Sequence, residues 1–310
     1  MRQETKRVTI IGAGLAGSEA AWQLAQRGIP VDLYEMRPKK STPAHQTGDF
    51  AELVCSNSFG ADTPFAASWL LKQELERLGA FVLSVGRATR VPAGGSLAMD
   101  RVEFSKSISR ILRNHPLVTI HDEEVTRIDR NHPTLVATGP LTSEALCQSL
   151  GELLGTKSLY FYDAISPIVS ADSLDLTKMY FANRYGKGET ADFLNIPLTK
   201  EQYFEFIEDL LKGDVVLPHD FEEAKYFESC LPIETIAERG KLSLAYGPMK
   251  PVGLEDASGK RAFAVIQLRT ENRHRTAYNL VGFQTKLKYP EQTRIFRKLP
   301  GLESAEFLRL

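Results

Sequence analysis

The chain has 310 residues, of which 43% are hydrophobic and 25% are charged, and its net charge at pH 7 is −1. This composition is typical of an ordinary soluble globular protein, and the length is sufficient for two domains with separate cores. Apolar runs stay well short of the roughly eighteen residues of a transmembrane helix, and the polar N-terminus leads directly into a strand. We therefore expect neither a membrane span nor a signal peptide.

Charge is unevenly distributed along the chain. Between Lys260 and Lys298, ten lysines and arginines stand against Glu271 and Glu291, so this segment is about +8 and the remainder near −9. A basic segment on a nearly neutral protein is either a face that contacts nucleic-acid phosphates or a solvated surface. On charge alone, the candidate phosphate contacts are Arg269, Arg273, Lys286 and Lys288.

The first element predicted from the N-terminus is a buried parallel strand at Val8–Ile11, followed at once by glycines in G-x-G-x-x-G spacing. Gly12 permits a tight turn, Gly14 lets the backbone approach a pyrophosphate, and Gly17 allows the next helix to pack closely on the strand. That helix, Leu15–Gln26, directs unpaired N–H groups and a positive dipole end at the phosphates. This pattern predicts a dinucleotide site.

The following residues complete the same unit. Ala21 lies on the apolar face of the helix, Gly28 ends it, and a second strand at residues 31–34 leads to Glu35. An acid at this position can accept both hydroxyls of an adenosine ribose.

FAD is favoured over NAD by the N-terminal position of this unit, by Glu35 and by the later segment LVATG at residues 135–139. In two-dinucleotide-binding-domain flavoproteins, a strand ending in Ala-Thr-Gly returns to the cofactor, which would bring Thr138 and Gly139 to it. The alternative is that this segment is an ordinary buried strand and turn.

Further along the chain, an apolar tetrad and the polar run SNS deliver Cys55 to a loop. Helical periodicity predicts helices at residues 65–85, up to Asn114, and at 143–154, 200–212 and 232–239. Thr199 and Gln202 form a capping box for the fourth of these, which Gly213 closes. Strands are predicted at residues 117–121, 135–138, 159–169, 262–268 and 278–284. We place a domain boundary near residues 154–157.

The three cysteines, Cys55, Cys147 and Cys230, argue against a disulfide framework because their number is odd, and they lack zinc-type spacing, so no metal site is predicted. A reducing cytoplasm fits best. Cys147 lies beside Leu146 on a helix and is interpreted as a small buried hydrophobe. Cys230 precedes a predicted helix N-terminus, which favours a thiolate. Spacing alone leaves the chemistry of Cys55 and Cys230 open.

Taken together, these stretches resemble one family, the folate- and FAD-dependent tRNA (uracil-5-)-methyltransferases known as TrmFO, over essentially the whole chain. The motifs are long and family-specific, unlike the glycine fingerprint, which the larger glucose-inhibited-division protein A family shares. They are residues 11–20 (IGAGLAGSEA), 43–47 (PAHQT), 51–58 (AELVCSNS), 136–143 (VATGPLTS), 230–234 (CLPIE), 247–254 (GPMKPVGL) and 279–285 (NLVGFQT).

The resemblance implies an α/β fold: a Rossmann-like FAD-binding domain of the two-dinucleotide-binding-domain flavoprotein type at residues 1–156, with an inserted α+β tRNA or substrate domain at residues 157–310. It implies methylation of C5 of the T-loop uridine (position 54 of tRNA), with methylenetetrahydrofolate as one-carbon donor, reduced FAD as reductant and NAD(P)H as the source of electrons. The FAD-binding residues it implies are Gly12, Ala13, Gly14, Leu15, Ala16, Gly17, Glu35, Asn57, Thr138 and Gly139.

The family chemistry gives a role to Cys55 and Cys230, which each lie between an apolar stretch and a turn-like stretch. Uracil C5 is too weakly nucleophilic to be alkylated directly, so a thiolate adds at C6 and turns C5 into an enolate-like carbon. A base then removes the C5 proton before the thiol is expelled. The resemblance implies Cys55 and Cys230 as nucleophile and acid/base partner; the order stays open, with Cys55 favoured as nucleophile because it follows the cofactor unit so closely. The target base must leave its stack, and the basic segment would hold the tRNA phosphates.

One departure from the family concerns length. Family members continue well past the equivalent of Leu310, so the resemblance implies a fragment or a natural truncation that lacks the return segment of the first domain and the glycine-rich stretch over the flavin. The alternatives to a tRNA methyltransferase are a small-molecule flavin oxidoreductase and a non-catalytic homologue that binds FAD or tRNA.

Overall fold

The computed structural model describes residues 7–155, 165–188, 190–216, 231–255 and 259–309. Its strands are, in chain order, β1 (Val8–Ile11), β2 (Val31–Glu35), β3 (Ser58–Ala61), β4 (Arg90–Val91), β5 (Ser96–Met99), β6 (Val118–Asp122), β7 (Thr134–Val136), β8 (Ile168–Ser170), β9 (Tyr180–Phe181), β10 (Leu194–Leu198), β11 (Ala264–Thr270), β12 (Ala277–Leu280) and β13 (Phe307–Arg309). Its α-helices are α1 (Leu15–Gln26), α2 (Ala67–Arg77), α3 (Phe81–Ala88), α4 (Arg101–Arg113), α5 (Glu144–Leu154), α6 (Lys200–Lys212), α7 (Ile233–Glu238), α8 (Ser243–Tyr246) and α9 (Tyr289–Phe296).

The chain divides into two compact units. The described part of the first consists of residues 7–54, 64–90 and 99–155, and that of the second consists of residues 55–63, 91–98 and the described residues from 165 onward. Two short segments from the N-terminal half of the chain therefore belong to the second unit, and one of them begins at Cys55. The assignment of FAD to residues 1–156 and of tRNA to residues 157–310 stays a prediction.

The first unit is built on a parallel sheet in the order β6-β2-β1-β7. Ile10 pairs with Leu33 on one side and with Leu135 on the other, and the central strands are buried because helices cover a parallel sheet. The predicted strands and the predicted helix α1 are confirmed here, and the α/β Rossmann-like fold class is confirmed with them.

The single helix predicted at residues 65–85 is wrong. The structure has two helices, α2 and α3, separated at Gly79, whose φ of +74° ends the first helix in the left-handed region. The periodicity placed Leu71 and Leu78 on a buried face. They are instead 55% and 73% exposed, because the break at Gly79 separates α2 from α3 and the α2 face points outward.

Helix α5 was predicted correctly, and Ser143 caps it by accepting a hydrogen bond from the Leu146 amide. Of its apolar face, Leu146 is buried but Leu154 is exposed. Cys147 is half-buried rather than fully buried. Burial raises the pKa of its thiol, and the charge of Glu144 adds to this, so the side chain is a poor thiolate.

The second unit contains an antiparallel sheet, not a mixed one, in which, among the described residues, six strands follow the order β13-β8-β12-β11-β10-β9. Helix α6 packs its apolar face, with Tyr203 and Phe206, into the core against this sheet. The capping box predicted at Thr199 and Gln202 is present in both directions. Part of the strand predicted at residues 159–169 lies outside the described residues, and β8 is the part that can be compared.

The strand predicted at residues 278–284 ends earlier than expected. Strand β12 stops at Leu280, and Gly282, with a φ of +75°, turns the chain into a loop. Phe283, which follows, is fully buried and anchors this loop in the core. Gln284 is therefore presented from a turn and not from a strand.

Among the helices that can be described, none combines the length and the apolar character needed to cross a lipid bilayer.

Candidate active site

The turn between β1 and α1 is closed by contacts that only glycine permits. A Cβ on Gly17 would lie 1.8 Å from the carbonyl oxygen of Gly12, and a Cβ on Gly12 would lie 2.7 Å from the carbonyl oxygen of Ala137. Gly12 also has a φ of +97°, which side-chain-bearing residues rarely adopt. The helix therefore starts directly against the sheet, with its first amides facing the ends of the strands.

A cleft opens at this end of the sheet in the first unit. It encloses about 540 Å³, including its open mouth, and its lining residues include Gly12, Gly14, Tyr34, Glu35, Thr138 and Thr142. The predicted ATG segment thus reaches the glycine turn, with β7 paired in parallel to β1. The hydroxyls of Thr138 and Thr142 lie 2.6 Å apart, and Gly139, with a φ of +63°, starts the turn between them.

The remaining predicted cofactor residues of this unit lie on the same turn. Ala13 is buried and its amide faces Glu35, whereas Leu15 and Ala16 are exposed on the first turn of α1. This arrangement matches the cradle that a dinucleotide pyrophosphate requires, because the backbone is bare at Gly12 and Gly14 and the helix N-terminus follows at once.

Glu35, at the end of β2, is 6% exposed. Its carboxylate accepts from the Ala13 amide at 3.0 Å, from the Arg37 amide at 3.1 Å and from the Arg37 guanidinium at 3.0 and 3.2 Å. Burial alone would raise the pKa of Glu35, but the hydrogen bonds and charge of Arg37, together with the Ala13 amide, outweigh it and hold the pKa below its usual range. The acid is thus held in its ionised form at the end of β2, and its contact with a ribose stays a prediction.

Arg37 connects this acid to the loop that follows. Its guanidinium also donates to the Thr47 carbonyl at 3.3 Å and to the Glu52 carboxylate at 3.4 Å. Glu52 in turn accepts from the Gln46 and Thr47 amides at 2.9 and 3.0 Å. A buried arginine between two carboxylates therefore holds the PAHQT segment against the end of β2, a role that sequence reasoning missed.

The second unit carries the loop with Cys55. The thiol is half-buried, and the Gln284 side-chain amide donates to its sulfur at 3.5 Å. Next to it, the Ser56 hydroxyl accepts from the Arg269 guanidinium at 2.8 Å and from the Ser58 amide at 3.2 Å. The Cys55 sulfur therefore lies on a loop in which the adjacent residue Ser56 is held by hydrogen bonds.

Asn57 is fully buried in a polar network of the second unit. Its Oδ1 accepts from Arg269 Nε at 2.8 Å and from Asn279 Nδ2 at 3.2 Å, and its Nδ2 donates to the Thr270 carbonyl at 3.0 Å. Asn279 also donates to Glu271. The amide that was predicted to bind cofactor is thus used to anchor the Cys55 loop to β11 and β12.

Arg269, a candidate phosphate contact from its charge, is buried (7% exposed), and its guanidinium donates to Ser56 and Asn57 inside the unit. Much of the remaining basic segment is paired with acids of the same unit. These pairs are Arg261–Glu255 (2.8 Å), Lys286–Glu238 (3.8 Å), Lys288–Asp214 (3.7 Å), Arg294–Glu291 (2.7 Å) and Lys298–Asp209 (2.6 Å).

The other predicted catalytic cysteine, Cys230, lies outside the described residues, but the segment after it is described. The Ile233 amide donates to the Gln284 carbonyl at 2.8 Å. Glu234 is buried; burial raises the pKa of its carboxyl group even though the Thr285 hydroxyl and the Lys286 amide donate to it. The CLPIE and NLVGFQT motifs therefore meet in the second unit.

Comparison with known proteins gives a consistent result. The family profile described as "Glucose inhibited division protein A" matches residues 7–310. Curated relatives include proteins of Enterococcus faecalis (54% identity over 306 residues), Natranaerobius thermophilus (53% over 304) and an Anaeromyxobacter species (56% over 308), each named methylenetetrahydrofolate--tRNA-(uracil-5-)-methyltransferase TrmFO. Each alignment covers 98% of this chain and between 68% and 70% of the relative.

Among solved structures, Aquifex aeolicus GidA in its form II crystal superposes with a TM-score of 0.68 at 16% identity, over 98% of this chain and 55% of that chain. The form I crystal gives a TM-score of 0.67. At this identity the likeness concerns the fold alone.

Proposed function

The chain belongs to the TrmFO family, and from this premise we propose that it transfers a one-carbon unit from methylenetetrahydrofolate to C5 of a uridine in tRNA, at the T-loop position 54, in the cytoplasm. The observation that carries the proposal is the pairing, in one chain, of a dinucleotide cradle closed by Gly12 and Gly17 with a hydrogen-bonded cysteine at residue 55.

The cleft residues fit FAD. Gly12, Gly14 and Glu35 line the cleft; the pyrophosphate would lie against the two glycines and the first amides of α1, and the ribose hydroxyls would meet Glu35. Bound FAD supplies the electrons that reduce the transferred carbon to a methyl group, and NAD(P)H is the proposed source of those electrons. Because the Glu35 carboxylate already accepts about four hydrogen bonds, roughly its full capacity, a ribose hydroxyl would replace one of those from Arg37.

Cys55 is the proposed nucleophile. Its thiolate forms a bond to uracil C6, the C5=C6 electron pair moves toward the C4 carbonyl, and C5 bonds to the methylene carbon of the donor as one of that carbon's bonds to folate nitrogen breaks. Removal of the C5 proton by a base then releases the second folate nitrogen and leaves a methylene group on C5. Addition of a hydride equivalent to this methylene group gives the methyl group and restores the C5=C6 bond as the thiolate leaves C6. Cys230 is proposed as the thiol partner in this proton transfer.

The tRNA contacts proposed here centre on a cavity of the second unit. It encloses about 800 Å³, including its open mouth, and is lined by Lys200, Lys260 and Arg261 together with the aromatic rings of Tyr180 and Phe263. Cations beside aromatic rings suit phosphates and unstacked bases. Binding through phosphates weakens as salt rises, so a salt series on the chain with tRNA separates this proposal from a small-molecule flavin oxidoreductase.

The decisive experiment supplies tRNA, FAD, NADPH and methylenetetrahydrofolate labelled in its one-carbon unit, and measures label in the T-loop uracil after nuclease digestion. Cys55→Ser should reduce the rate at least about 1,000-fold, because a hydroxyl is a far weaker nucleophile than a thiolate. The matched control is Cys147→Ser, which alters a half-buried helix cysteine with a raised pKa and should leave the rate unchanged.

Two results would contradict the proposal. Label transfer at the normal rate in Cys55→Ser would exclude the thiol chemistry. A yellow protein that binds tRNA at low salt but transfers label to none of its uridines would favour a binding homologue without catalysis.

A further inference from the structure

Gln284 comes from the far end of the chain to meet Cys55. Its Nε2 lies 3.5 Å from the Cys55 sulfur, across 229 residues of sequence, within the second unit. The loop that carries Gln284 is held on both sides, because Phe283 is fully buried and Thr285 is 7% exposed. The position of this side chain is therefore set by the core and not by the cysteine.

The backbone of Gln284 is fixed separately from its side chain. Its carbonyl accepts from the Ile233 amide at 2.8 Å. The following residue, Thr285, donates its hydroxyl to buried Glu234, which also accepts from the Lys286 amide. The side chain can thus be replaced while the link between this loop and α7 is kept.

Cys55 is held equally firmly from its own side. Ser56 accepts from the Arg269 guanidinium, and Asn57 is bonded to Arg269, Asn279 and Thr270. Two preorganised segments therefore meet at one contact between an amide N–H and a sulfur. An N–H donor held in place stabilises the thiolate more than the thiol, because the donor need not move when the sulfur becomes charged. The same hydrogen bond fixes the direction in which the sulfur points.

We infer that Gln284 is a positioning residue for Cys55: its side-chain amide donates to the sulfur, stabilises the thiolate and aims it at the base to be attacked. The inference rests on the proposed role of Cys55 as nucleophile. It goes further by assigning to the NLVGFQT motif a function in thiol activation.

The test measures alkylation of Cys55 by iodoacetamide as a function of pH in the intact protein, with the Cys55 peptide quantified by mass spectrometry. Gln284→Met keeps the length of the side chain but lacks the donor, and should move the pH midpoint of Cys55 alkylation upward by about one unit, as the loss of a hydrogen bond to a charged group predicts. Gln284→Glu places a carboxylate at the sulfur and should move the midpoint further up.

Gln73→Met is the matched control, because Gln73 lies on exposed helix α2 and bonds to Glu76. It should leave the midpoint where it is. In the methyl-transfer assay, Gln284→Met should lower kcat about tenfold at neutral pH, with KM for tRNA unchanged, since one pH unit corresponds to a tenfold change in thiolate.

The outcomes separate this inference from the proposed function. A midpoint unchanged in both Gln284 variants overturns the inference, and a downward shift in Gln284→Met does so too, because it would mean that the amide oxygen faces the sulfur. Because alkylation needs neither tRNA nor folate, a shifted midpoint in a protein without methyl transfer would uphold the positioning role and count against the proposed function alone.

Discussion

The turn between β1 and α1 and the loop that carries Cys55 differ in where their constraints come from. In the turn, a Cβ on Gly17 would collide with the carbonyl group of Gly12, five residues earlier, and a Cβ on Gly12 would collide with the backbone of Ala137, after β7. In the loop, Ser56 and Asn57 are held by Arg269 and Asn279, more than 200 residues away. The first region is specified mainly by local sequence, with one close approach from the end of β7, and the second is specified by side-chain contacts to distant residues.

This difference explains how each region tolerates change. A turn closed by backbone atoms has little room to relax, because the carbonyl groups it contacts, those of Gly12 and Ala137, directly follow β1 and β7. A loop held by side-chain hydrogen bonds can keep its fold after one bond is lost, but its reactive atom then loses direction. Substitutions should therefore act on the turn through stability and on the loop through reactivity.

The largest effect is expected for Gly17→Ala. The added methyl group would lie 1.8 Å from the Gly12 carbonyl oxygen, so α1 must move away from β1. We expect a loss of about 3 kcal/mol in the free energy of unfolding of the first unit, measured by urea titration, and loss of flavin binding measured by fluorescence.

Gly28→Ala is the control for that substitution. Gly28 has a φ of +75°, but its added methyl group would meet nothing within 4 Å, so about 1 kcal/mol of backbone strain is expected and flavin binding should be kept. Equal losses in the two variants would show that the glycines serve conformation alone and not the close approach of helix and sheet.

The features that could be predicted from the sequence are those set by local residues, and the features that were missed depend on distant residues. The strand, helix and glycines of residues 8–35 were predicted almost to the residue, because hydrophobic period, capping and glycine spacing are local signals. The capping box at Thr199 and Gln202 was found for the same reason. The ATG segment was placed beside the turn only because a flavoprotein pattern was available.

The failures concern residues whose role depends on distant partners. Arg269 was interpreted as a phosphate contact, yet it is bound to Asn57 inside the second unit. The cofactor role of Asn57 stays a prediction, but its anchoring role was missed. Arg37 and Gln284 carried no signal of their own, since one glutamine or arginine in a polar stretch has no period. Gly79 could have revealed the helix break, but a glycine within a strong apolar period is compatible with either outcome.

Asn57→Ala tests the loop that carries Cys55. It removes the buried Oδ1 that accepts from both Arg269 Nε and Asn279 Nδ2, so we expect a loss of about 2 kcal/mol in the stability of the second unit, measured by urea titration. The rate of Cys55 alkylation should fall as well, because the adjacent residue no longer anchors the loop.

The FAD affinity of Asn57→Ala shows whether Asn57 also contacts the cofactor. If Asn57 only anchors the Cys55 loop, the dissociation constant for FAD should stay within about twofold of the parent value. A loss of FAD affinity with unfolding unchanged would instead restore the predicted cofactor role of Asn57 and remove it from the comparison.

Apart from the control Gly28→Ala, the smallest effect is expected for Glu35→Gln, which tests whether the turn also depends on a longer-range bond. Glu35 accepts from the Ala13 amide, 22 residues away, and from Arg37. Its folded pKa lies below its usual range, despite burial, because of Arg37 and the Ala13 amide. The carboxylate therefore stabilises the fold fully above the ordinary glutamate pKa, and this contribution disappears as the pH falls through the lowered folded value.

At pH 7 the variant should lose about 1.5 kcal/mol in the free energy of unfolding, and the difference from the parent should shrink steadily below pH 4.5, the reference pKa for glutamate. A difference that is constant across this range would mean that the charge of Glu35 is immaterial and that the glycine turn stands on its local contacts alone.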